Sequence, residues 1–249
     1  MEIILKQEKV RLDVLLTDKH LCSSREKARA LIMNGCIFCN DEKITKAGFL
    51  VSSDSKIEMV CRQSKYVGRG GLKLEKALNC FNIDIVDCVA IDVGASTGGF
   101  TDCMLQHGAG KVYAIDVGYG QLAWNLRQDR RVIVLERTNV RYITQEKIPE
   151  LVDVVSIDVS FISLKLVVPV IRNFLKLSGS IIALIKPQFE AGRDLVPRGG
   201  VITDSAVHKM VLENMTNFVK SLNMKMSDII LSPIKGAKGN TEFLAHITQ

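Results

Sequence analysis

Residues 89–100 read Val-Ala-Ile-Asp-Val-Gly-Ala-Ser-Thr-Gly-Gly-Phe, and they decide the fold. The run Val89–Val93 suits a strand covered on both faces, and the glycines at 94, 98 and 99 predict a tight turn. A helical pattern then continues over Phe100–His107. A strand that enters a helix through such a turn brings backbone N–H groups and a helix N-terminus to a ligand. Two acidic residues sharpen the reading. Asp92 lies within the strand, and Asp116 ends the following strand-like run, 22 residues after Gly94. An acidic residue about 20 positions on is placed to bind ribose hydroxyls. Either a dinucleotide or S-adenosylmethionine fits that placement. A dinucleotide fingerprint is G-x-G-x-x-G, whereas the spacing here is G-x-x-x-G-G, which does not obviously cradle a pyrophosphate. A purely structural connection is the third reading of any glycine turn.

Outward from this turn, strands are predicted at Lys111–Asp116, Val132–Arg137, Val152–Asp158 and Ser180–Lys186. Helix-compatible stretches lie at Phe100–His107, Gln121–Gln128, Leu164–Leu175 and Asp204–Leu222. Strands alternating with helices argue an α/β class with a parallel, doubly wound sheet. Ser227–Ile234 and Glu242–Thr248 then read as an antiparallel hairpin closing a seven-stranded sheet. Upstream, Arg25–Met33 is a predicted helix capped by Ser23 or Ser24, and Cys36–Cys39 and Lys56–Cys61 are short strands. The glycines of Tyr66-Val67-Gly68-Arg69-Gly70-Gly71 suggest a linker. The expected division is therefore a small α+β domain over 1–62, a basic linker over 63–72 and a large domain over 73–249.

Composition is that of a globular protein: 249 residues, 47% hydrophobic and 24% charged. The longest stretch without Asp, Glu, Lys or Arg is 11 residues, Ala30–Asn40, against about 18 for a membrane span. The N-terminus lacks the cationic start of a signal peptide, so a soluble, cytoplasmic protein is expected. Seven cysteines without framework spacing agree with a reducing compartment, and the single Cys36-x-x-Cys39 pair falls short of a zinc ribbon; no metal is expected. The net charge of +6 permits a nucleic-acid partner without demanding one. Arg62, Lys65, Arg69, Lys73 and Lys76 oppose Glu75 alone, which reads either as a solvated face or as a phosphate-contacting hinge.

Four further residues fall at or near strand ends, where a doubly wound fold places its ligands. Asp158 and Lys186 each follow a buried apolar run, Glu242 opens the last strand, and Lys73 precedes the first. Together with Asp92-x-Gly94-x-x-x-Gly98-Gly99-Phe100, this Lys…Asp…Lys…Glu order resembles the FtsJ-like RNA 2′-O-methyltransferases. The stretches Tyr66–Leu74, Ala95–Phe100, Asp158–Leu164 and Lys186–Glu190 in combination look like the TlyA family, known both as hemolysins and as ribosomal RNA cytidine 2′-O-methyltransferases. The resemblance implies a Rossmann-like class I methyltransferase domain with its last strand antiparallel. It implies Lys73, Asp158, Lys186 and Glu242 as the catalytic set, with Lys186 as general base. It also implies S-adenosylmethionine at Asp92, Gly94, Ala95, Ser96, Thr97, Gly98, Gly99, Phe100, Asp116 and Asn139. Phe161 could contact a base or the cofactor, or pack in the core.

The pattern Arg11-Leu12-Asp13, Ser24-Arg25-x-x-Ala28 and Ile32-x-x-Gly35 resembles the small RNA-binding module named for ribosomal protein S4. By that resemblance Arg11, Arg25, Lys27 and Arg29 would face RNA, joined by Arg62, Lys65 and Arg69. The module usually has an Asn-Gly turn where this chain has Asn40-Asp41, and residues 1–61 carry 10 basic and 9 acidic residues. Shape recognition of folded RNA is thus expected to contribute. The implied substrate is cytidine in 23S ribosomal RNA, with 16S left open, within ribosomal subunits and away from membranes. The rival readings are a membrane-lytic protein and a catalytically inactive ribosome-assembly factor. Oligomeric state is not legible.

Overall fold

The computed structural model describes residues 9–60 and 65–249. The chain divides into two compact units, Met1–Ser64 and Lys65–Gln249. In the first, β1 (Lys9–Arg11) pairs antiparallel with β4 (Leu50–Ser52), and β2 (Ile37–Cys39) lies between β3 (Glu42–Ile44) and β5 (Ile57–Met59). The helices α1 (Leu12–Asp18) and α2 (Arg25–Met33) pack their apolar stripes, Leu12, Leu15, Leu16, Ala28 and Ile32, against Ile37, Cys39, Ile44 and Val51. Ser24 caps α2 by accepting the Lys27 N–H. Cys39 fills this small core. The β2–β3 turn places Asn40 and Asp41 both at positive φ, 49° and 66°, so Asp stands where the left-handed turn more often has Gly. Cys61 and Arg62 lie outside the described residues.

The second unit opens with a helix where a linker was expected. Helix α3 (Gly70–Phe81) takes in Gly70, Gly71 and Leu72, and Lys65 onward belongs to this unit. Leu74, Ala77 and Leu78 form its buried stripe, and Asn82 ends it in the left-handed conformation. Gly71 is there for space rather than flexibility: a Cβ would strike the buried Tyr66 ring.

Strands β6 (Val89–Val93), β7 (Lys111–Ile115), β8 (Val132–Leu135), β9 (Val152–Ile157) and β10 (Leu175–Ile185) are parallel, in the order β10-β9-β6-β7-β8. Strand β12 (Phe243–Thr248) runs antiparallel beside β10, with β11 (Lys225–Leu231) outside it. The seven-stranded sheet and its antiparallel last strand are as expected. Successive strand residues go to opposite faces. Val155, Ile157, Ile181 and Ile185 join the core that Val211, Met215 and Val219 of α8 (Ser205–Ser221) cover. Val154, Ile182 and Leu184 join the other, with Leu74, Leu78, Phe100 and Met104. The latter two come from α4 (Gly99–Gln106).

Two helical predictions shrink. Leu164–Leu175 breaks into single turns, Leu164–Leu166, α6 (Val168–Ile171) and Arg172–Phe174, because Pro169 has no N–H to continue an upstream helix. Strand β10 consequently starts at Leu175 rather than Ser180. Gln121–Gln128 reduces to α5 (Trp124–Arg127), and a further short helix, α7 (Pro187–Glu190), follows β10. Among the described residues no helix is long and apolar enough to cross a membrane.

Candidate active site

Strand order reverses between β6 and β9, and ligands of doubly wound sheets bind outside the strand ends at such a switch point. Val93 pairs with Ile157, so Gly94 and Asp158 leave the sheet side by side; the Asp158 N–H still donates to Val93 O at 2.9 Å. A Cβ at Gly94, whose φ is +85°, would run into the Asp158 carbonyl. Gly98 turns at φ +95° with Leu122 and Leu126 against it, and Gly99 meets the backbone of Gly68 and Gly71. The glycines therefore serve close approach as well as the turn.

Register assembles the rest. Ile185 pairs with Phe243, which brings the next residues out, Lys186 and Glu242, to the same edge. Lys73, on the first turns of α3, reaches them from a separate layer. Its Nζ donates to Glu242 Oε2 at 2.6 Å and stands 3.9 Å from Asp158 Oδ2. The Lys186 Nζ lies 2.6 Å from Asp158 Oδ1 and donates to Ser160 Oγ at 3.0 Å. The result is one continuous chain, Glu242–Lys73–Asp158–Lys186, of two cations and two anions. Lys73, Lys186 and Glu242 are buried and Asp158 is half-buried.

Two cavities meet here. The first, ≈ 360 Å³, is lined by all four of these residues together with Arg69, Gly94–Thr97, Gly99, Phe100, Gln188 and Lys235. The second, ≈ 460 Å³, is lined by Gly94, Ser96, Asp116, Gln121, Asn139 and Val140 among others. Gly94, Ser96, Asp158, Ser160 and Phe161 belong to both walls. Asp116 accepts the Ser96 N–H at 2.8 Å on Oδ2 and the Gly118 N–H at 2.7 Å on Oδ1. Each oxygen keeps a lone pair, which suits a pair of ribose hydroxyls. Asn139 Oδ1 accepts the Arg141 N–H. The predicted donor-binding residues thus line these cavities, with two exceptions. Gly98 shapes the turn from outside, and Asp92 is buried beneath it, accepting Thr101 Oγ1 at 2.7 Å and Ser156 Oγ at 3.0 Å. Burial pushes the Asp92 carboxyl up to about 6, against the two hydroxyl donors. Its work is to tie α4 to β9, a correction to its expected place on a ligand.

Ser160, Gln188 and Glu190 were not singled out, although the stretches around Asp158 and Lys186 contain them. Glu190 accepts Ser163 Oγ at 2.6 Å and the Leu164 N–H at 2.8 Å, clamping the loop after β9 to the one after β10. Phe161 is 91% exposed at φ +63°, which excludes the packed-core reading, and its ring lies 5.1 Å from Phe189. The basic run after residue 62 also separates: Lys65 pairs with Glu75, Lys73 is buried in the site, and Arg69 lines the first cavity.

In the first unit Arg11 and Arg25 converge on the fully buried Asp13, at 2.9 and 3.1 Å, while Lys27 and Arg29 are exposed on α2. Hydrogen bonding from Arg11 above all holds the Asp13 carboxyl at about 2. A depressed folded pKa contributes stability that is present above about pH 4 and lost as pH falls through about 2. With both guanidiniums about half exposed, that contribution is about 1–2 kcal/mol. Asp13→Asn should therefore lower the unit's stability at pH 7, and chemical denaturation of the two proteins should converge towards pH 2. A constant difference across that range would show that the ion pairs are not its source.

Residues 66–248 match the FtsJ-like methyltransferase family, and residues 10–57 match the S4 domain. A Bacillus subtilis protein provisionally named an rRNA methyltransferase, YqxC, is 47% identical over 96% of this chain and 86% of its own length. The 16S/23S rRNA (cytidine-2'-O)-methyltransferase TlyA of Mycobacterium tuberculosis is 39% identical over 94% of this chain and 88% of its own. A Streptococcus thermophilus protein of solved structure, described provisionally as a hemolysin, superposes with a TM-score of 0.76 at 44% identity, covering 97% of this chain and 88% of that one.

Proposed function

Because the chain belongs to the FtsJ-like methyltransferase family, we propose that it transfers the methyl group of S-adenosylmethionine to the ribose 2′-hydroxyl of a cytidine in ribosomal RNA. One observation carries this reading: the ionic chain Glu242–Lys73–Asp158–Lys186 passes through Asp158, on the wall shared by a cavity lined by Asp116 and one lined by Arg69 and Lys235. S-adenosylmethionine supplies a methyl group already activated by its sulfonium. Alignment of the hydroxyl and removal of its proton remain for the protein.

Ser96, Asp116 and Asn139 would hold the donor. Asp158 and Ser160 hold Lys186 Nζ by two of its three non-carbon positions; as the free amine it donates N–H groups to these two and keeps its lone pair at the third, where it takes the hydroxyl proton and becomes the ammonium. Lys73, fixed by Glu242, keeps Asp158 from turning away. Arg69 and Lys235 at the first cavity are cations for the flanking phosphates, and the S4 domain, through Lys27 and Arg29, adds further contacts. A cytidine paired in a helix would have to leave its stack to reach Lys186. The partner is then the ribosomal subunit, which places the work in the cytoplasm.

Purified large and small subunits, incubated with methyl-labelled S-adenosylmethionine and the full chain, should yield 2′-O-methylcytidine at a single mapped position in at least one subunit RNA. Label on a base, or none on either subunit or on the free RNAs, would overturn the proposal.

A further inference from the structure

We propose that Gln188 reads the target base, its side-chain oxygen accepting a hydrogen bond from the exocyclic amine of cytosine. This inference rests on the reading of the chain as a cytidine ribose methylase, and it adds the group that separates cytidine from uridine.

Gln188 stands two residues after Lys186, on α7, and lines the first cavity with all four residues of the ionic chain. Its Oε1 is buried and has no hydrogen-bond partner among the described residues. Buried side-chain acceptors are nearly always satisfied, so an unsatisfied one beside a reactive lysine asks for a donor that arrives with the substrate. The neighbouring acceptors are already committed. Ser160 Oγ accepts from Lys186, and Glu190 accepts from Ser163 and from the Leu164 N–H. Turning the Gln188 side chain toward an incoming base would break no hydrogen bond at its oxygen, and the turn would gain one.

The two pyrimidines differ at the edge such an acceptor would meet. Cytosine presents an N4 amine, a donor, where uracil presents an O4 acceptor. A protein acceptor there stabilises cytosine, whereas uracil leaves the Gln188 oxygen unpaired and opposes it with a second oxygen. Sites built to hydrogen-bond a substrate group discriminate strongly against the analogue that lacks it. A neutral hydrogen bond made with cytosine, combined with a buried acceptor left unpaired against uracil, corresponds to roughly tenfold to a hundredfold. The ring pair Phe161 and Phe189 lies beside the same residue, so a base held against Phe161 would have its edge within the reach of α7.

The experiment uses the full chain and subunits from cells lacking it. Subunits with the mapped cytidine are compared with subunits carrying uridine at that position, and 2′-O-methylated nucleosides are quantified by mass spectrometry. The readout is the ratio of kcat/KM for the two substrates, with donor affinity and thermal unfolding confirming that each variant is folded. Gln188→Met, similar in shape but without the acceptor, should lower the ratio about tenfold to a hundredfold, through loss on cytidine and relief of the penalty on uridine. Gln188→Glu, which keeps an acceptor and has no amide donor, should retain most of the ratio; a second carboxylate beside Lys186 alters the absolute rates of both substrates alike. A wild-type ratio in Gln188→Met overturns the inference. So does an equal loss in Gln188→Glu and Gln188→Met, since the amide nitrogen would then be the reading group. Wild-type protein that methylates neither substrate would remove the proposed function, and this inference with it.

Discussion

Lys186→Ala should lower methyl transfer to ribosomal RNA by about 10²–10⁴-fold and leave S-adenosylmethionine binding within about twofold. The asymmetry follows from the two cavities. Lys186 lines the first, with Asp158 and Glu242, whereas the second, with Asp116 and Asn139, does not include it. Its Nζ is anchored at 2.6 Å to Asp158 and 3.0 Å to Ser160, so alanine removes the proposed proton acceptor without touching the Asp116 wall. Lys186→Arg separates proton removal from simple electrostatic positioning. A guanidinium keeps the charge but cannot deprotonate at working pH. Single-turnover rates and calorimetric donor affinities decide the matter. If arginine restores the rate to within tenfold of wild type, Lys186 is not the base, and its charge is what the reaction uses.

What could be read beforehand followed the reach of the physical signal. Asp158 and Lys186 were legible singly, because each surfaces at the end of a buried apolar run. Lys73 and Glu242 were not, and only the family resemblance pointed to them. Their meeting depends on the pairing of Ile185 with Phe243 and on α3 lying over the sheet end, which brings Lys73 to Glu242, 169 positions away. Helix α3 itself was misread because Gly68, Gly70 and Gly71 look like a flexible linker. Their smallness serves the Tyr66 ring, Phe100 and Thr97 packed against them, which no local pattern announces. Gln188 stood inside a recognised stretch, but an acceptor without a donor is a property of its surroundings. Asp92 shows the converse: an acidic residue at the expected strand position, spent on Thr101 and Ser156 instead of on a ligand.

The ionic chain should also be unequal in its contributions to stability. Lys73 has two carboxylates, at 2.6 and 3.9 Å, so Glu242→Gln leaves it paired with Asp158 and keeps an acceptor in place, at a cost of about 1–2 kcal/mol. Glu242 has only Lys73 among the described residues and is 3% exposed, with Gly236 pressed against its carboxylate. Lys73→Met would strand that carboxylate without a cation, and breaking a buried pair in this way costs about 3–5 kcal/mol. The double variant Lys73→Met/Glu242→Gln carries neither charge and should recover most of the difference, since paired removal of buried ions is often close to neutral. It should nonetheless remain inactive, because Asp158 would have lost the partner that holds it across from Lys186. Chemical denaturation of the three variants tests the ordering, and methyl transfer by the double variant tests the separation of stability from catalysis. Equal destabilisation by the two single changes would mean that Glu242 finds another donor, and a double variant with wild-type turnover would confine Lys73 and Glu242 to a structural role.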